Sequence, residues 1–382
     1  MKSGLTATVC RITMETRQEV VFVSIYLDHA ATTPVDERVM EAMTRCMREH
    51  FANPSAAYSA AGQSRRVQRT ARQTIARMLG CDHSEVFFTS GGTEGNNWAM
   101  QAAKEKHAVV SAIEHASVLE AAKAYAGSVT LVQPDADGVI RPEAVENAIR
   151  PDTALVSVQW ANNETGVLQP VREIARIAHR HGALFHTDAV QAFGHVAVNV
   201  ENIDLLTLSA HKFYGPRGAG CLYVKTGAKL PPLLHGGGQE GGLRAGTENT
   251  PAICGLGMAA ELAEEDMTGR AERERALLDL FVQQLAGCPV RVLGGDRLPG
   301  ILALFTPGHE SEALIARLDV KGVQVSGGAA CAAGSGQASH VYRAMGLSDR
   351  EARCVLRVSV GRGNTSEQMI EAAQTLRQLI LP

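Results

Sequence analysis

Lys212 stands in the segment Ser209-Ala210-His211-Lys212-Phe213-Tyr214-Gly215-Pro216, directly after the apolar run Ile203-Asp204-Leu205-Leu206-Thr207-Leu208. The run reads as a buried strand, so the lysine sits at a strand end, where loss of water lowers its pKa and frees the amine as a nucleophile. A Schiff base with an aldehyde cofactor requires an amine of that kind. Alone, the pattern fits a snorkelling surface lysine better than a catalytic one. Its company changes that.

Upstream, Phe185-His186-Thr187-Asp188-Ala189-Val190-Gln191 places Asp188 where a second short apolar strand, residues 183–187, ends. Ligands of open α/β sheets collect at the carboxyl ends of the strands. A buried carboxylate requires a cation or several donors, and a protonated pyridine nitrogen would serve. A lone aspartate there fits a cap or a loop better than a ligand site. In a third segment, Phe87-Phe88-Thr89-Ser90-Gly91-Gly92-Thr93-Glu94-Gly95-Asn96-Asn97, a β-type run breaks into Ser-Gly-Gly-Thr ahead of a predicted helix. Glycines at a helix N-terminus let backbone N–H groups face an anion. The segment is neither a Walker A sequence nor the spaced-glycine dinucleotide fingerprint, so nucleotide binding is not indicated.

Together these segments resemble the cysteine desulfurases of the NifS/IscS-like type, in the class V aminotransferase family. The resemblance also rests on Tyr26-Leu27-Asp28-His29-Ala30-Ala31-Thr32-Thr33-Pro34, on Asn162-Asn163-Glu164-Thr165-Gly166 and on residues 235–247, and it runs from about Ile25 to the C-terminus. It implies pyridoxal 5′-phosphate as cofactor. It also implies the α/β architecture of PLP-dependent transferase fold type I, a large domain with a mostly parallel seven-stranded sheet flanked by helices plus a smaller α+β domain. On this resemblance Lys212 carries the cofactor, Asp188 pairs with the pyridine nitrogen, and Gln191 and Asn163 contact the ring hydroxyl side. Gly92, Thr93, Ser209 and His211 match the phosphate-side positions. Thr247 matches a threonine that reaches the phosphate from the other subunit, which implies a homodimer. His115, in Ser111-Ala112-Ile113-Glu114-His115-Ala116-Ser117, matches the ring-stacking histidine. Imidazole can cover a π-face and still exchange a proton near neutral pH.

The cofactor leaves the reaction open, since relatives include aminotransferases and lyases. Cys331 bears on that choice. Val325-Ser326-Gly327-Gly328-Ala329-Ala330-Cys331-Ala332-Ala333-Gly334-Ser335 surrounds one thiol with small residues, as a thiol shuttling between a buried cofactor and an outside acceptor requires. The segment resembles the nucleophile loop of the longer-loop desulfurases. The reaction implied is removal of sulfur from L-cysteine: Arg357 and Asn162 bind the substrate, with Arg357 gripping the carboxylate through its planar fork. Lys212 takes the Cα proton, His115 assists proton transfer, and Cys331 attacks the substrate sulfur as a thiolate. Alanine and a Cys331 persulfide result, and the sulfur passes to an acceptor in iron–sulfur cluster assembly, tRNA thiolation or DNA sulfur modification. A free thiol has a pKa of about 8.5, so local activation is expected. An aminotransferase or selenocysteine lyase, in which Cys331 is dispensable, and a non-catalytic scaffold are the alternatives. Three positions depart from the family pattern: Tyr58 for a histidine, Gly241 for an arginine and Ala338 for a proline.

Helical and strand patterns must alternate to hold these residues, and they do. Residues 34–51 and 62–79 have helical spacing, while 86–89, 108–113, 129–132 and 155–159 read as strands. A long helix is predicted over 251–285, with a break near 266–269. Beyond it, 291–293, 301–305, 323–325 and 355–360 read as strands of a smaller sheet. The expected division is an N-terminal extension (1–24), a large cofactor-binding domain (25–265) whose first residues pack on the small domain, and a small domain (266–382) carrying the Cys331 loop. The extension reads as a disordered tail: Arg11 and Arg17 suit a transit peptide, but Glu15 and Glu19 do not.

Composition agrees with such an enzyme. The 382 residues are 45% hydrophobic and 20% charged with net charge −3, which gives no basic surface for nucleic acid. No apolar run reaches the roughly 20 residues that cross a bilayer. Eight cysteines form no C-x-x-C pair or metal-ligand spacing, so free thiols in a cytoplasmic protein without a metal are expected.

Overall fold

The computed structural model describes residues 24–328 and 338–381. Cys331 and, Ser24 apart, the N-terminal extension lie outside these residues. The chain runs β1 (Ile25–Tyr26), α1 (Glu37–Glu49), α2 (Ser59–Leu79), β2 (Val86–Thr89), α3 (Gly92–Met100), β3 (His107–Ser111), α4 (Ala116–Tyr125), β4 (Ser128–Val132), α5 (Pro142–Ala148), β5 (Thr153–Ser157), α6 (Val171–Arg180), β6 (Leu184–Asp188), β7 (Leu205–Ser209), β8 (Gly220–Val224) and α7 (Thr250–Gln284). Then follow β9 (Arg291–Leu293), β10 (Ile301–Phe305), α8 (Ser311–Val320), β11 (Val323–Gln324), α9 (His340–Ala344), α10 (Asp349–Ala352), β12 (Val355–Ser359) and α11 (Ser366–Ile380).

Seven strands form the large sheet in the order β2-β8-β7-β6-β5-β3-β4. Only β8 runs against its neighbours. A parallel return needs a crossover of a dozen or more residues, and residues 210–219 between β7 and β8 are too few. Apart from the edge strand β4 the sheet is largely buried on both faces, which explains its mostly apolar strands. Along β3, Val109 packs into one core while Ala108 and Val110 pack into the other; along β7, Leu206 and Leu208 oppose Leu205. One layer includes α2, α6 and the first half of α7, the other α3 and α4.

Helix α7 is continuous over 35 residues, so the break expected near 266–269 does not occur. Gly269 costs about 1 kcal/mol of helix propensity, but the next turn is held by side chains. Arg270 is buried, lies 3.4 Å from Asp266 and 3.7 Å from Glu274, and donates to the Gly194 carbonyl. Upstream, Ala252 to Ala263 contribute to the large-sheet core; downstream, Leu277, Leu278 and Phe281 join a second core under the three-stranded sheet β12-β10-β9. Ile25 and Leu27 also pack there, because β1 pairs in parallel with β11. That pairing leads Asp28 to Ala31 across the junction of the two cores. No described helix is long and apolar enough to cross a membrane.

Candidate active site

Strands β2, β3, β5, β6 and β7 end on the same side of the sheet, and the residues after them line a cavity of about 260 Å³. Gly92, Thr93, His115, Asn163, Asp188, Gln191, Ser209, His211 and Lys212 meet there, and Arg357 joins them from β12. Ten of the thirteen residues singled out from the sequence thus line one cavity. Asn162, Thr247 and Cys331 are the others.

Lys212 Nζ donates to the carbonyls of Ala30 (2.6 Å) and Ala31 (2.9 Å), on the segment that β1 carries in. Gln191 Nε2 donates to the same Ala30 carbonyl at 2.7 Å. Asp188 is 7% exposed and accepts from the Val190 N–H (2.9 Å) and from Asn96 Nδ2 (2.7 Å). Among the described residues no cation lies within ion-pair distance of it. A carboxylate withdrawn from water in this way favours a cationic partner.

His115 caps α4, its Nδ1 accepting from the Ser117 N–H at 3.1 Å with Ser117 Oγ at 2.8 Å. Nδ1 therefore acts as an acceptor, which leaves the proton of the neutral ring on Nε2. Burial lowers the His115 pKa, Lys212 and His340 lower it further, and Asp188 opposes them. Burial, with Lys212 and Arg217 adding to it, lowers His211 to about 4. The fold therefore favours the neutral form of both imidazoles.

The start of α3 forms another part of the cavity lining. Gly91 caps the helix at φ 148°, where a side chain would be strained. A Cβ on Gly95 would come within 2.7 Å of Thr207, so the helix sits close against β7. The first N–H groups of a helix have no intrahelical acceptor and attract anions. Here they lie beside Thr93, Ser209 and His211. Arg357, 1% exposed, donates to Asp28 Oδ1 (2.7 Å) and the Asn163 carbonyl (2.8 Å), and its Nε has no partner among the described residues. An amine, an unpaired buried carboxylate and an anion-binding helix start fit pyridoxal phosphate: aldehyde, ring nitrogen and phosphate each meet a suitable group. Lys212, Asp188 and the Gly92–Thr93 helix start with Ser209 and His211 would hold them.

Asn162 does not line the cavity. Its Nδ2 donates to the Ile113 carbonyl (3.0 Å), and its Oδ1 accepts from the N–H groups of Glu164 and Thr165, both at 2.8 Å. The side chain folds the turn that presents Asn163. Thr247 is exposed and is not among the residues that line its own chain's cavity. Glu164 is buried in the same turn, accepts from Ser339 Oγ at 2.6 Å, and lies so near Gly328 that a Cβ there would be 2.6 Å from its Oε2. It thus touches the described residues on both flanks of the Cys331 segment. Sequence reasoning did not assign Asn96, Ser117 and Gln159, which also line the cavity. Asn96 lies one helical turn beyond Gly92 and Thr93, and Ser117 two residues beyond His115, so spacing from assigned neighbours was the available signal.

Residues 25–371 match the family model described as aminotransferase class-V. The chain is 42% identical to the cysteine desulfurase IscS of Methanosarcina thermophila over 371 residues, covering 94% of this chain and 92% of the relative. The chain belongs to the cysteine desulfurases of the class-V aminotransferase family. Among solved structures, a NifS-like protein superposes with TM-score 0.87 at 34% identity, covering 93% of this chain and 99% of that one. SspA in complex with cysteine superposes with TM-score 0.78 at 37% identity, covering 88% and 99%. Membership in this family carries pyridoxal phosphate dependence with it. One departure from the family pattern has a local reason. Gly241 adopts φ 66°, which would strain an arginine, next to the buried Glu240 that pairs with Arg72 at 2.6 Å.

Proposed function

We propose that this cysteine desulfurase uses the cavity between β12 and the carboxyl ends of the large sheet to take sulfur from L-cysteine onto Cys331. The observation that carries the reading is the meeting of Lys212, Asp188, His115 and Arg357 around one cavity, with Glu164 of the adjoining turn against both flanks of the cysteine segment. Bound pyridoxal phosphate supplies the electron sink that weakens bonds at the substrate Cα and Cβ.

The residues supply the rest. Arg357 binds the substrate carboxylate, a fork suited to two hydrogen bonds. Asp188, an anion held by neutral donors, keeps the ring nitrogen protonated. Lys212 Nζ, an amine that lines the cavity and is held by the Ala30 and Ala31 carbonyls, takes the Cα proton and later returns it. His115, neutral with its proton on Nε2, stacks on the ring and donates one proton in exchange. The Cys331 thiolate forms a bond to the substrate sulfur as the carbon–sulfur bond breaks. The electron pair stays on carbon and is protonated to give alanine, and the sulfur remains as a Cys331 persulfide.

The reading includes a homodimer, with Thr247 reaching the partner subunit's phosphate site. Its exposure, and the apolar residues Met40, Met47 and Phe51 exposed along and just beyond α1, support that arrangement. It also includes a large domain (25–265) and a small one (266–382), a division supported by the change of core along α7. A sulfur-acceptor protein and a cytoplasmic setting complete it. Mass spectrometry after one turnover without reductant is the test: one extra sulfur atom on the peptide containing Cys331 is expected, and an unmodified peptide beside released alanine would overturn it.

A further inference from the structure

We propose that Asn96 is a positioning residue that acts through Asp188, holding the carboxylate in one orientation and as an anion against the cofactor's ring nitrogen. This rests on the cofactor placement given above.

Asn96 is 1% exposed, on α3. Its Nδ2 donates to Asp188 Oδ2 at 2.7 Å and to Ser117 Oγ at 2.9 Å. The Val190 N–H takes the other oxygen, Oδ1, at 2.9 Å. Both carboxylate oxygens are therefore held, one by backbone and one by Asn96, and the plane of the group is fixed. The amide can face only one way. An ionised carboxylate only accepts, so the NH2 group must point at it.

That orientation leaves Asn96 Oδ1 buried without a partner among the described residues. An unsatisfied buried acceptor is costly, and a leucine of nearly the same shape would avoid the cost. What Asn96 contributes in return is two donated hydrogens. Neutral donors stabilise an anion without neutralising it. A lysine or arginine in their place would compete with the ring nitrogen for the carboxylate, whereas an amide leaves that partnership open.

The fold makes the reach possible. Gly95 lets α3 approach Thr207 so closely that a Cβ would not fit. Asn96 follows Gly92 and Thr93 by one turn, so the face that begins at the phosphate side continues to the ring side. The hydrogen bonds also extend beyond Asp188. Ser117 Oγ receives from Asn96 and keeps its own hydrogen for His115 Nδ1, 2.8 Å away. Asp188 and His115 are thereby linked through two side chains. Glu114, Lys212 and His340 are the other titratable groups acting on this pair.

The test uses the loaded enzyme with 15N-labelled pyridoxal phosphate and reads the ring-nitrogen chemical shift at one pH. In the wild type and in Ser117→Ala, which keeps the Asn96–Asp188 bond, a protonated ring nitrogen is expected. In Asn96→Leu the signal should move toward that of neutral pyridine, because a carboxylate with one donor fewer is the stronger base. With cysteine as substrate kcat should fall by about tenfold, the worth of one hydrogen bond to a charged group, while KM stays within about twofold. If Asn96→Leu does not fold, Asn96→Ala gives the same reading. An unchanged ring-nitrogen signal in a folded, loaded Asn96 variant overturns the proposal. A neutral ring nitrogen in the wild type overturns the cofactor placement itself, whatever Asn96 does.

Discussion

Arg357 and Asp28 form an ion pair of unequal burial: Nη2 lies 2.7 Å from Oδ1, with the arginine side chain 1% exposed and the aspartate 20%. Asp28 offsets the buried charge, and Arg357 still keeps an Nε hydrogen without a partner among the described residues. Arg357→Lys retains the charge and loses the fork. KM for cysteine should rise roughly ten- to a hundredfold, the worth of a hydrogen bond to a carboxylate, with a smaller change in kcat. Steady-state kinetics of the two proteins decide it; an unchanged KM would remove Arg357 from substrate binding.

The Glu164–Ser339 bond ties the cofactor-side turn to the described flank of the Cys331 segment. Ser339 also caps α9, accepting from the Val341 N–H at 3.1 Å. Ser339→Ala should cost about 1 kcal/mol of stability through the cap. It should also lower the rate of sulfide release without altering the absorption spectrum of the bound cofactor. Denaturation and turnover measured on the same preparation separate the two effects.

Much of this architecture was legible in the sequence, and the reasons differ by residue. Strands β6 and β7 announce themselves because both faces are buried, so each is a short buried run ending at the residue that matters, Asp188 or the Ser209–Lys212 segment. Strands β1 and β11 are two residues each and exist only as partners across nearly 300 positions, which no local pattern reveals. The break expected near 266–269 of α7 is absent because Arg270, whose pairing holds that turn, shows its role only in three dimensions. Asn162 was placed at the substrate by resemblance; in the fold its Oδ1 accepts from the Glu164 and Thr165 N–H groups and its Nδ2 donates to Ile113, a tertiary role that no local pattern announces. Asn96 offered only its spacing from Gly92 and Thr93: an asparagine inside a helix shows its role once the carboxylate it holds arrives from β6.

Burial pushes the Glu114 carboxyl up to about 8 from its ordinary 4.5, aided by the Asp188 charge and opposed by hydrogen bonds from Ser111 and the Gln159 N–H. The fold therefore favours the protonated form. Its contribution to stability is fully present below pH 4.5 and is lost as pH rises through about 8. The unfolding midpoint of the wild type should fall between about pH 5 and about pH 9 more steeply than that of Glu114→Gln. Parallel slopes would place the titrating group elsewhere.

Phe51 is 82% exposed, Met47 53% and Met40 48%, a concentration of apolar surface that suits a covered face. Met47→Glu with Phe51→Glu should shift the protein toward monomer in sedimentation. Because the proposed homodimer supplies Thr247 across the interface, cofactor affinity should fall in parallel, and Thr247→Ala alone should weaken it by about tenfold without dissociating the dimer. Monomers that hold the cofactor as tightly as before would contradict the shared site.

The most direct measurement follows sulfide and alanine together from cofactor-loaded protein given L-cysteine and a reductant, with Cys331→Ala beside it. The account predicts equal sulfide and alanine from the wild type, and a variant that keeps the yellow cofactor but releases neither at a measurable rate. A Cys331→Ala protein that still released sulfide at the full rate would contradict it.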